Sequence, residues 1–102
     1  MNSRLYKDSL KLMNACIAKY PLVENGIIED LTEDFDELSN VHIEEKRIGE
    51  TMVELSSYID EYDKQKCVEA LALLRVSIMN IESAFSNSAD SLEKLIVAIR
   101  DK

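Results

Sequence analysis

Pro21 and Gly26 lie close together near the start of this chain, and Gly49 is the only other residue of either type. A chain with so few backbone breakers is confined to a few short turns. It can fold as helix, because apolar residues return every three or four positions on both sides of that punctuation, which places them on one helical face. Tyr6, Leu10, Met13, Ile17 and Tyr20 form the first stripe, widened by Leu5, Leu12 and Cys16. They predict a helix over about 3–20, ended by Pro21, which disfavours the helical conformation in Tyr20.

Asn25-Gly26 reads as a helix–helix connection, since no strand-like alternation flanks it. Ile28, Leu31, Phe35 and Leu38 then predict a helix over about 27–39, and Val41, Ile48, Met52, Leu55, Ile59 and Tyr62 another over about 41–62. The two stripes are one position out of phase and Ser39-Asn40 suits an N-cap, so a break is expected there. The alternative is one curved helix from 27 to 62. Cys67, Leu71, Leu74, Ile78, Ile81 and Phe85 predict a fourth helix over about 64–85. It is apolar around most of its circumference, so Leu71, Leu74, Ile78 and Ile81 are expected among the most buried residues. Ser86-Asn87-Ser88-Ala89 reads as a polar turn before a short helix over about 91–100 that buries Leu92, Leu95, Ile96 and Ile99. The expected fold is therefore all-α: residues 1–102 as a single-domain bundle of four to five helices, without a sheet. At 102 residues there is material for one core, burying roughly 60–70% of the surface the unfolded chain exposes.

Charge is distributed very unevenly over these elements. From Tyr20 to Glu45 there are nine carboxylates and no Lys or Arg, while the whole chain carries a net charge of −8. The rest is therefore almost balanced. Early carboxylates in the 27–39 helix are partly explained by its dipole, worth about 0.3–1 kcal/mol each at low salt. A solubilising surface normally mixes signs, however, and this one does not. A field of one sign attracts a basic partner and repels nucleic acid and anionic membranes.

Reactive constellations are sparse. The single histidine, His42, is followed by Ile43-Glu44-Glu45, and that negative charge would repel a phosphoryl group. Asp90-Ser91-Leu92 resembles the phosphopantetheine attachment motif of acyl carrier proteins over those three residues. Asp90 with Glu93 also fits a capping box, the preferred reading here. No inward Glu-x-x-His pair supports a di-iron bundle, and Glu33-x-x-Asp36 lacks the Glu-x-x-Glu partner that helical pyrophosphohydrolases carry. Cys16 and Cys67 read as buried thiols, without the spacing of a zinc site. No catalytic, metal or cofactor site is expected.

A signal-peptide core is missing from Met1 to Lys7, and no apolar run reaches the length of a membrane span, so a cytoplasmic protein is expected. The expected function is a small acidic, non-catalytic binding protein that neutralises a basic protein partner such as a toxin or nuclease, in the manner of an immunity protein or antitoxin. Glu29, Asp30, Glu33, Asp34, Asp36 and Glu37 are the expected contact residues. The alternative is a helical adaptor or secretion chaperone that binds a partner helix or self-associates, with a homodimer possible. A nucleic-acid mimic ranks below both.

Overall fold

The computed structural model describes residues 3–101, which form helices α1 (Ser3–Ile17), α2 (Asn25–Ser39), α3 (Val41–Asp60) and α4 (Lys64–Arg100). The described residues contain no strand, as expected for an all-α chain. The helix count differs. α2 and α3 are two arms of one rod bent at Asn40, so there are three helical rods in place of four or five separate helices. α1 ends at Ile17, short of Tyr20, and Asn25-Gly26 opens α2 instead of preceding it.

The bend has a local cause. The Ser39 hydroxyl donates back to the Asp36 carbonyl at 2.6 Å, and His42 Nδ1 lies 3.0 Å from the Ser39 carbonyl. Side chains that bond to the backbone in this way perturb the regular ladder and bend helices. His42 thus serves the joint of the rod. α3 ends in a left-handed residue, Tyr62, at φ 56°. The Asp63 amide donates to the Tyr58 carbonyl and the Tyr62 amide to the Ile59 carbonyl, the paired bonds of a Schellman motif. This turns Tyr62 out to solvent, against its expected place in the stripe. Asp63 then caps α4, its carboxylate accepting from the Lys66 amide at 3.1 Å.

The largest departure is α4. Helices expected over 64–85 and 91–100 are one helix of 37 residues, about 55 Å long. No turn forms at Ser86-Asn87-Ser88-Ala89, because Ser88 and Ser91 are buried there and hold α2. The Ser88 hydroxyl donates to the Asp34 carbonyl at 3.1 Å, and the Ser91 hydroxyl donates to the Asp34 carboxylate. The inward face of α4 is also not the expected one. Ala70, Ser77, Ala84 and Ser91 recur every seven residues and are all buried, while Leu71 is 54% and Ile78 57% exposed. Leu74 and Ile81 are only half-buried. Small side chains at heptad spacing let the bent α2–α3 rod approach α4 closely along its length. The large apolar residues are consequently left on its flanks.

Asn80 bonds to Glu44 at 3.3 Å and Lys66 sits over the Tyr58 ring at 5.4 Å, which fixes α3 antiparallel to α4. The same register continues through Ser88, Ser91 and Asp34 into α2. α1 covers only one end, where Tyr6 meets Phe85 edge-to-face at 6.0 Å between ring centroids. The core therefore gathers there: Ile17, Val23, Leu31, Phe35, Leu38, Val41, Ala84 and Leu95. At the other end α3 and the first half of α4 form a bare two-helix hairpin. The molecule measures 61 × 21 × 15 Å with a radius of gyration of 18.6 Å. A compact chain of this size would have about 13 Å. No helix among the described residues is long and apolar enough to cross a membrane.

Ser91 and Asp90 exchange their expected importance in this fold. Asp90 is an exposed residue inside α4 and caps nothing, so Asp90→Ala should change stability by under about 0.5 kcal/mol. Ser91→Ala removes a bond to a carboxylate and should cost about 1–3 kcal/mol. Thermal denaturation of the two variants side by side checks this, and equal midpoints would contradict it. With its hydroxyl buried against Asp34, Ser91 does not present itself for modification.

Candidate functional site

α2 lies between two grooves, and its carboxylates divide between them. Leu31, Phe35 and Leu38 face the core, so residues three and four positions apart around the rest of the helix must point to solvent or to its edges. Glu29, Glu33 and Asp36 border the groove between α1 and α2, beside Leu10, Ile28 and Thr32. Asp30, Asp34 and Glu37 border the opposite groove, between α2 and α4. The six expected contact residues therefore divide three and three between the two grooves.

Asp34 has a structural task. It is half-buried and accepts the Ser91 hydroxyl, so it is less available to a partner than the other five, which are exposed. A charge reversal at Asp34 would also strand Ser91 and disturb the packing of α4.

The α2/α4 groove is the more acidic of the two, and α4 is the reason. Along the α2–α3 rod its wall is Glu24, Ile27, Asp30, Asp34, Glu37, Val41 and Glu44, at steps of three or four; along α4 it is Asp101, Val97, Lys94, Asp90 and Asn87. Glu93 adds a further carboxylate, and among the described residues Lys94 is the only base lining the groove. At the end formed by Glu24, Ile27, Glu93 and Val97 it opens into a cavity of about 670 Å³ with an apolar floor. At the other end Glu44 is neutralised, accepting from Arg47 at 2.9 Å and from Asn80. Glu24, Asp30, Glu37, Asp90 and Glu93 form no ion pair among the described residues.

Asp90 and Glu93 were absent from the expected site, being more than fifty residues away in sequence from α2. The continuity of α4 brings them there. A polar turn at 86–89 would have pointed the last helix elsewhere. The cysteines stand apart from this groove: Cys16 is exposed on α1 and Cys67 half-buried near the start of α4, both as free thiols.

Chemically, the groove offers carboxylates, and the Ser91 hydroxyl among them is buried and donates to Asp34. His42 is occupied at the bend. What the arrangement can do is hold positive charge over an apolar floor, the complement of a basic amphipathic surface. Compared with known proteins, the chain matches no family model, no curated protein sequence and no solved structure.

Proposed function

We propose that this chain is a non-catalytic acidic binding protein that neutralises a basic protein partner, in the manner of an immunity protein or antitoxin. The observation that carries the reading is the unpaired acidity of the α2/α4 groove. Like charges on neighbouring helical positions destabilise a fold by tenths of a kcal/mol per pair. A sequence shaped for stability alone would place bases among them. Among the described residues lining the groove Lys94 is the only base, and the pairs of Arg47 with Glu44 and of Arg100 with Asp101 still leave Glu24, Asp30, Glu37, Asp90 and Glu93 without an ion pair. A Lys- or Arg-rich segment laid along the groove would relieve that repulsion. It would also cover Ile27 and Val97 on the groove floor.

The test begins with capture of a partner from the native host on immobilised protein. Asp30→Lys with Glu37→Lys should retain helicity, because both side chains are exposed, yet slow association and weaken binding at least tenfold, a change of about 1.4 kcal/mol. A partner that binds this variant and the native protein alike would remove the groove from the account. A second reading, a helical adaptor or secretion chaperone, draws on a different feature: the exposed apolar residues of the hairpin, among them Val53, Leu73 and Val76.

A further inference from the structure

We infer that the α3/α4 hairpin pairs with the hairpin of a second copy of this chain, antiparallel, to form a four-helix bundle with one three-helix end projecting from each side. The proposal does not depend on the acidic groove.

Two apolar columns run the length of the molecule and are covered at one end only. On the bent rod, steps of seven lead from Leu31 and Leu38 through Glu45 to Met52 and Ile59. Leu31 and Leu38 are buried, whereas Met52 is 58% and Ile59 57% exposed. On α4, the same steps lead back from Leu92 and Phe85 to Ile78 and Leu71. Leu92 is half-buried and Phe85 rests against Tyr6 of α1, while Ile78 and Leu71 lie open. By helical periodicity both columns border the side on which α1 sits. α1 has 15 residues against the 37 of α4, so it fills less than half of this groove. Beyond Tyr6 the groove continues, with Glu45 and then Met52 and Ile59 on one wall and Ile78 and Leu71 on the other, and no helix among the described residues fills it.

Area and charge select the occupant. The chain exposes 7263 Å², against about 5,800 Å² for a compact monomer of 11.6 kDa. The excess of roughly 1,400 Å² exceeds the ~800 Å² that each partner contributes to a standard stable interface. Residues 46–80, which make the hairpin, hold five bases and six acids, a net charge of −1. A basic partner has little to attract it there, and a second copy has little to repel it. Residues 20–45 carry nine acids and no base, so a parallel pair would set two strongly acidic ends side by side. An antiparallel pair separates them by several Debye lengths, each about 8 Å at physiological salt.

Light scattering on the full chain, combined with small-angle X-ray scattering, tests this. The expected result is a mass twice 11.6 kDa and a maximum dimension well beyond the 61 Å of one chain. Leu71→Glu with Ile78→Glu should halve the mass with helicity unchanged, since both side chains are exposed in the single chain. Met52→Glu with Ile59→Glu, on the other wall, should do the same. A native mass of one chain at micromolar concentration would overturn the proposal and leave the groove to some other helix. So would a mass above two chains, or a dimer no longer than one chain. Folded variants that still dimerise would equally overturn it, and if the variants fail to fold, the mass and length of the native protein decide.

Discussion

Replacing Leu31 with Ala is expected to lower stability by about 2–5 kcal/mol. Leu31 is 0% exposed and belongs to the cluster with Ile17, Phe35, Leu38 and Leu95, where α1, α2 and α4 meet. Truncation there removes apolar burial and leaves a cavity that three packed helices cannot easily close. Whole domains are stable by only about 5–15 kcal/mol, so this one change would consume a large share. Thermal denaturation followed by circular dichroism at one fixed protein concentration would show it as a midpoint lowered by more than about 8 °C. Leu12→Ala is the matched control, because Leu12 is 74% exposed although it lies beside the apolar stripe of α1. It should stay within about 0.5 kcal/mol of the native protein. A Leu31→Ala loss equally small would place the core elsewhere.

Ala84→Leu should cost about 1–3 kcal/mol, for the opposite reason. Ala84 is buried in the seven-residue column of small side chains, at the level where α2 gives way to α3. A Leu at this position must push α4 away from the bend, or force its own side chain and Val41 off their preferred rotamers. Helix propensity cannot account for the loss, since Ala and Leu are both strong helix formers. Ala84→Ser, which preserves size, should be tolerated far better. If the large apolar stripe faced inward, as expected from sequence, Ala84 would lie toward solvent and the Leu variant would be neutral. Denaturant midpoints of the three proteins distinguish these arrangements.

Much of the fold was legible because helical periodicity is a local property. The stripes of α1, α2 and α3 fall within a few residues of the observed helices, and the phase shift at Ser39-Asn40 marked the bend. The inward face of α4 was misread for a physical reason. Apolar size signals burial only when something covers the residue, and Leu71 and Ile78 are left more than half exposed by the described residues. A sequence signal for the true face existed in the seven-residue recurrence of Ala70, Ser77, Ala84, Ser91 and Ala98. Small residues contribute little to an apolar stripe, yet they determine how closely two helices approach. The polar run at 86–89 misled in the same way. Its residues disfavour helix by only tenths of a kcal/mol each, less than the bonds from Ser88 and Ser91 to Asp34 supply.

For the candidate site, the acidity was legible in the sequence and the grouping of the carboxylates into grooves was not. Acidity without bases was evident between Tyr20 and Glu45 from the sequence alone. Which carboxylates share a groove depends on the packing of α2 between α1 and α4. Tertiary structure drew Glu29, Glu33 and Asp36 to one side, engaged Asp34 in packing, and added Asp90 and Glu93 from the far end of the chain.

The central claim is that location, and not total charge, makes the acidity functional. The most direct measurement is the association rate of the captured basic partner across a series of ionic strengths, with two variants of equal charge change. Asp30→Lys with Glu37→Lys reverses charge in the α2/α4 groove, and Glu29→Lys with Glu33→Lys reverses it beside α1. The account predicts a native rate that falls steeply with salt, a groove variant that associates slowly and loses most of that dependence, and an α1-side variant much closer to the native protein. Equal effects from both variants, or a native rate indifferent to salt, would contradict it.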